Sequence, residues 1–146
     1  MINFKQFFFE KNVVGVIETI FIEGLGDIAA KIDSGNSAYN VLHGTNIDIS
    51  NNNITFTTVK NKIVTKPIVG SVTINVGAGH TEERPVVEFN VKILDKEFSN
   101  VKFSISDRST NDNPVLIGKN FIINQLDALI DVASTNLLSK KISVTY

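Results

Sequence analysis

Apolar and polar residues alternate with a period of two along much of this chain, in short runs rich in β-branched side chains. Residues 54–59 (ITFTTV), 72–76 (VTINV) and 86–94 (VVEFNVKIL) are the clearest cases. Successive side chains of a strand point to opposite faces, so such runs fit half-buried strands. Turn-forming clusters separate them at residues 23–27, 50–53, 77–79, 94–96 and 109–114, where Gly, Asn, Asp, Ser and Pro gather. Many short strands at regular spacing predict an all-β barrel or sandwich. Residues 119–126 depart from the pattern, with Phe121, Ile122 and Leu126 spaced for a short helix, and residues 128–132 read as a strand again. Residues 1–11 fit a first helix or a first strand equally well. At 146 residues, with no internal repeat and no linker between two compositions, the chain is expected to form a single domain over residues 1–146.

Composition removes several classes of function. Fourteen Lys and Arg against fifteen Asp and Glu give a net charge of −1. No cationic excess is available to displace counterions from a phosphate backbone, so no nucleic-acid partner is expected. Cysteine is absent, which excludes a disulfide framework, a thiol nucleophile and zinc sites built on thiolates. The apolar stretches 13–17 and 115–117 fall far short of the roughly 20 residues of a membrane helix, so no membrane partner is expected. Phe7-Phe8-Phe9 followed by Glu10-Lys11 lacks the basic start and small-residue cleavage site of a signal peptide, which points to a cytoplasmic location. The abundance of Asn, Ile and Lys fits an AT-rich coding bias. If the source is a virus, the expected locations are the host cytoplasm and the virus particle.

Two segments stand out as chemistry. In Lys31-Ile32-Asp33-Ser34-Gly35-Asn36 a strand runs into a carboxylate, a small hydroxyl and a glycine that permits a sharp turn. An ordinary Asp-Ser-Gly turn is the plainer reading of the triplet alone. Some eighty residues on, Pro114-Val115-Leu116-Ile117-Gly118-Lys119-Asn120-Phe121-Ile122 is a buried strand that ends at a glycine and passes into a helix-like turn.

Together the two segments resemble the paired motifs of retropepsin-like aspartic proteases. With Leu42-His43, the stretch from Gly79-His80-Thr81-Glu82-Glu83-Arg84 to Val87, and Asp107-Arg108 in the same order, the chain looks like the small retropepsin-like family found beside RimK-type ligases. Members of that family are often labelled "ATP-dependent zinc protease". The resemblance implies an all-β, retropepsin-like (acid protease) closed barrel with a flap hairpin and one short helix. It implies a catalytic Asp33 with Ser34 and Gly35 in its loop, and a late strand whose Gly118 packs near Asp33, with Ile117, Lys119 and Asn120 supporting the site. The flap falls on residues 69–91, with Gly77 and Gly79 near its turn. Asn36, His80, Glu82, Glu83 and Arg84 would then meet the substrate, and Arg84 could hold an acidic one. A solvated hairpin with local ion pairs is the plainer account of His80 to Arg84.

The family pattern is not followed everywhere. Asn36 stands where Ala is common, and Lys119 replaces the usual Arg, so a bidentate fork becomes a point contact. Nothing in the sequence supports the zinc and ATP of the family label. There is no GxxxxGK[ST] loop and no HExxH, and the only histidines are His43 and His80, so no metal or cofactor is expected.

Aspartic protease chemistry needs two carboxylates about 3 Å apart sharing one proton. The chain contains one Asp-Ser/Thr-Gly, so an active enzyme requires Asp33 to meet the Asp33 of a second copy in a homodimer. Ser34 would then hydrogen-bond across the twofold axis. The first expectation is therefore a homodimeric aspartic endopeptidase or peptide-trimming hydrolase acting on a peptide or protein substrate, with acidic tails implied by the resemblance. The second is a non-catalytic retropepsin-like structural or assembly module whose partners would be virion proteins. A Ser-His-Asp triad lacks a GxSxG elbow, and glycosidase carboxylates such as Glu82 and Glu88 cannot be ranked. Both leading readings share one expected core: Ile32, Val41, Leu42, Ile74, Val76, Phe89, Val91, Phe103, Ile105, Leu116, Ile117 and Phe121.

Overall fold

The computed structural model describes residues 12–14, 16–33, 39–93, 96–118, 121 and 128–130. The strands are β1 (Asn12–Val14), β2 (Ile17–Ile22), β3 (Gly26–Asp33), β4 (Asn40–His43), β5 (Thr45–Ser50), β6 (Asn53–Thr57), β7 (Ile63–Pro67), β8 (Gly70–Gly77), β9 (His80–Ile93), β10 (Lys96–Ser106), β11 (Val115–Gly118) and β12 (Ala128–Ile130). A 3-10 turn, Val59–Asn61, joins β6 to β7. Among the described residues the fold is nearly all β, as the alternation predicted. Of the short helix expected over residues 119–126, all but Phe121 lie outside the described residues, as do residues 1–11. Among the described residues no helix is long and apolar enough to cross a membrane.

The main sheet runs β10-β4-β11-β3-β2-β9-β8, and β10 also pairs with β9, so six strands close into a ring with β8 hanging from β9. Closure leaves those six strands without a free edge. Period-2 alternation then puts one face of each strand inside. On β3, Ile28, Ala30 and Ile32 are buried while Lys31 is exposed and Asp33 half-buried on the opposite face. Ile20 and Ile22 of β2, Val87, Phe89, Val91 and Ile93 of β9, and Val101, Phe103 and Ile105 of β10 fill the same interior. Phe89 and Phe103 meet edge to face with centroids 5.9 Å apart, the geometry that ring quadrupoles favour. The three-stranded sheet β5-β6-β7 contributes Ile54 and Phe56 to this core.

Three residues expected in the core lie elsewhere. Val76 is 52% exposed, Ile74 is half-buried, and Leu116 is also half-buried. Ile74 and Val76 alternate as a core strand would, but β8 pairs only with β9 and projects beyond the ring. Leu116 occupies the outer face of β11, between the buried Val115 and Ile117. Conversely, Glu18 is buried to 1% exposure on the same face of β2 as Ile20, where the alternation marks an interior position.

Candidate active site

Asp33 is the last residue of β3, and β11 lies beside that strand in parallel register, with Ile117 opposite Ile32 and Gly118 opposite Asp33. Because parallel strands run the same way, Asp33 and Gly118 lie at one end of the ring. β4 flanks β11 on its other side, antiparallel, with Val115 opposite Leu42. Gly118 is buried, and its N–H donates to Oδ1 of Asn40 at 2.8 Å. The Asn40 amide in turn donates to the Lys102 carbonyl at 3.1 Å. Asn40 is only 5% exposed, so this side chain satisfies a buried donor at the strand end that carries the site.

The β8–β9 hairpin is where a flap was expected. It turns through Gly77, Ala78 and Gly79, all at positive φ, a region that glycine enters at little cost. In its register Val72 faces Arg84, Ile74 faces Glu82, and Thr73 faces Glu83. Val72, Ile74 and Arg84 are half-buried whereas Thr73 and Glu83 are exposed. The hairpin therefore divides the expected set: Glu82 and Arg84 share the inner face with Val72 and Ile74, Glu83 alternates to the outer face, and His80 sits exposed beside the turn. Arg84 Nη2 lies 3.4 Å from Glu82 Oε2, while its buried Nε has no hydrogen-bond partner among the described residues.

A second arginine joins it from residues 107–114. Burial and the neighbouring Arg84 hold the Arg108 guanidinium below its ordinary pKa, and Asp33 opposes them by favouring the charged form. Arg84, Arg108 and Asp33 thus share one electrostatic neighbourhood. Arg108 also lines an open cleft of about 340 Å³ with Lys31, Val16, Ile17, Asn111 and Asp112. Lys31 is two residues before Asp33 and shares its face of β3.

The 107–114 turn is tied down at several points. The Arg108 N–H donates to His43 Nδ1 at 2.9 Å, and Arg108 Nε donates to the Asn113 carbonyl at 2.9 Å. His43 N–H donates to the Pro114 carbonyl at 2.8 Å. Asp107 Oδ1 accepts from both the N–H and the hydroxyl of Ser109, which hold its carboxyl below the usual carboxylate range. Among the described residues no group of three His, Asp or Glu side chains is placed to hold a metal ion.

Of the residues expected at the site, Asp33, Ile117, Gly118, Glu82 and Arg84 fall within the ring end and its hairpin as described. Ser34, Gly35, Asn36, Lys119 and Asn120 lie outside the described residues. Asn40 was not anticipated, and Arg108 and His43 were noticed only within the family pattern, with no role attached. A signal for Asn40 was present, because a polar residue immediately before the buried pair Val41-Leu42 needs a partner.

A ring of strands with a hairpin projecting from it and a Gly-ended strand in parallel beside Asp33 is the arrangement of the retropepsin-like class. The sequence matches the RimB-like family, described as the retropepsin-like aspartic endopeptidase RimB, over residues 13–141, and the chain belongs to that family. A solved structure of a Legionella pneumophila protein of unknown function is similar, with a TM-score of 0.70 and 27% identity, covering 87% of this chain and 98% of that one. No curated protein matches the chain at a significant level.

Proposed function

We propose that this chain is a peptide hydrolase in which Asp33 and the Asp33 of a second copy form the catalytic dyad, with a preference for acidic chains. The observation that carries the reading is the position of Asp33 at the end of β3, with Gly118 of β11 opposite it, and Arg108 electrostatically coupled to both Asp33 and Arg84 supports the acidic preference. Family membership supports the dyad, since a single chain supplies one Asp-Ser-Gly.

In this reading the ionised carboxylate takes a proton from a water, and the protonated one donates its proton to the scissile carbonyl oxygen as the water oxygen bonds to carbon. The resulting diol collapses: the C–N bond breaks, the proton held by the first carboxylate passes to the leaving nitrogen, and one diol hydroxyl returns its proton to the second carboxylate as the C=O re-forms. The two groups titrate as a pair. Arginine suits the specificity role because its planar fork matches a carboxylate and remains charged at any working pH. The inner face of the hairpin adds Val72 and Ile74 as apolar contacts beside Arg84.

The test combines assembly with cleavage. Wild type should form a dimer in solution and cleave Glu/Asp-rich peptides in preference to neutral ones of equal length. Asp33→Asn should abolish cleavage and remain a folded dimer, and Arg84→Ala or Arg108→Ala should raise KM for the acidic peptide more than for the neutral one. A stable monomer, or cleavage that survives Asp33→Asn, would refute the dyad; a ring or higher-order lattice without peptidase activity would favour an assembly module.

A further inference from the structure

We infer that His43 is a positioning residue for Arg108: its neutral imidazole holds the Arg108 backbone through Nδ1, and protonation of the ring breaks that hold. The inference builds on the proposed function only in giving Arg108 a substrate to meet; the structural coupling stands apart from it.

An imidazole nitrogen that accepts a hydrogen bond carries no proton. The 2.9 Å bond from Arg108 N–H to Nδ1 therefore requires a neutral ring with its hydrogen on Nε2. The backbone that carries the ring is held in place. His43 closes β4, its N–H is bound to the Pro114 carbonyl, its carbonyl accepts from the Thr58 hydroxyl at 2.6 Å, and the next residue, Gly44, donates to the Ser106 carbonyl. His43 thus grips both ends of the turn, Arg108 at one end and Pro114 at the other. Within the turn, Arg108 Nε donates to the Asn113 carbonyl, so the side chain and the backbone of Arg108 are both referenced to this turn.

Protonation turns Nδ1 from acceptor into donor, and two N–H groups then face each other. Among the described residues the charged groups placed against His43 are Asp107 and Arg108, both from this turn. Asp107 Oδ1 lies 3.8 Å from Nδ1, too far for a hydrogen bond in the arrangement described and near enough to receive the imidazolium after a small rotation. Since the Ser109 bonds hold the Asp107 carboxyl low, that carboxylate is still ionised while histidines titrate. Acidification therefore exchanges a bond to the Arg108 backbone for an ion pair with Asp107.

The experiment follows the Arg108 amide and the His43 ring by NMR between pH 7.5 and 5, a range chosen so that Glu and Asp side chains of a peptide stay ionised. In wild type the Arg108 amide should lose about five- to tenfold of its exchange protection in the same transition as the ring protonates, as expected for one hydrogen bond. His43→Asn places an amide oxygen near the Nδ1 position and does not titrate, so it should keep Arg108 protected across the range, while His43→Ala should be unprotected throughout. Binding of a Glu/Asp hexapeptide to folded Asp33→Asn protein should weaken through that transition, and Asp33→Asn/His43→Asn should hold its affinity. An Arg108 amide that ignores His43 protonation, or an acid transition unchanged in His43→Asn, would overturn the inference. Absence of any peptide cleavage, with the amide result intact, would refute the proposed hydrolase and leave this coupling standing.

Discussion

Asn40 gives the sharpest test of how the strand end beneath the site is held. Replacing it with Ala leaves the buried Gly118 N–H without an acceptor and the Lys102 carbonyl without its side-chain donor. An orphaned buried donor costs about 1–3 kcal/mol and a lost neutral hydrogen bond about 0.5–1.5, so the variant should lose roughly 2–4 kcal/mol. For a chain of this length that is a fall of roughly 5–15 °C in Tm. Asn40→Asp separates the two bonds. Its carboxylate still accepts from Gly118, but an oxygen now faces the Lys102 carbonyl, and only the protonated acid can donate there. The carboxyl of the folded variant should therefore titrate above its unfolded value. Relative to wild type, Asn40→Asp should be most stable below the unfolded carboxylate pKa and lose that stability as pH rises, levelling off above the folded value. Urea denaturation at pH 4 and pH 7, with the exchange rate of the Gly118 amide, reads both effects. An Asn40→Ala variant within about 0.5 kcal/mol of wild type with a protected Gly118 amide, or an Asn40→Asp deficit equal at both pH values, would refute the reasoning.

Three further outcomes are expected. A Cβ on Gly44 would sit 2.4 Å from Ile105 Cγ2 and 3.0 Å from Phe56 Cδ2, so Gly44→Ala should cost about 1–3 kcal/mol by overpacking. Adding Ile105→Ala, which removes that Cγ2, should give a double variant less destabilised than the sum of the two, and strictly additive denaturation energies would contradict the contact. Ser109→Ala should raise the Asp107 carboxyl toward the ordinary range in an NMR titration; its depressed folded value implies stability present above the unfolded pKa and lost as pH falls through the folded one, and an unmoved titration would show that the Ser109 hydroxyl is not the cause. Phe121 is 4% exposed and meets Phe98 edge to face at 5.2 Å, so Phe121→Ala should lower stability by about 3–5 kcal/mol in chemical denaturation, and a loss below 1 kcal/mol would place the ring outside the core.

The strands were legible because alternation and burial share one physical cause. The runs at 54–59, 72–76 and 86–94 all fall in or overlap strands, and the turn at 77–79 lies where glycine tolerates positive φ. Alternation reports that a strand has two faces and says nothing of what covers them. That is why Ile74 and Val76 read as core and are not: their pattern suits a covered sheet, and β8 lies outside the ring. Leu116 fails differently, since a continuous apolar run hides which of its residues faces outward.

The site was legible only as a pair of motifs, because its parts are joined by contacts that leave no local mark. Asp33 and Gly118 become neighbours through a parallel pairing across 85 positions of sequence, and the bond that fixes Gly118 comes from Asn40 on a third strand. Arg108 is harder still. It sits in a polar stretch, Asp107 to Asn113, that any reading by composition assigns to a solvated turn, and its backbone bond to His43 and its electrostatic coupling to Asp33 and Arg84 all cross between segments far apart in the sequence. Each local segment is thus compatible with an inert loop, and the candidate site emerges only when the pairing of β3, β11 and β4 brings Asp33, Gly118 and Asn40 together. By the same logic the second carboxylate of a dyad has to come from a repeat of the whole end in another copy. No further segment of this sequence carries an Asp-Ser/Thr-Gly that such a closure could deliver.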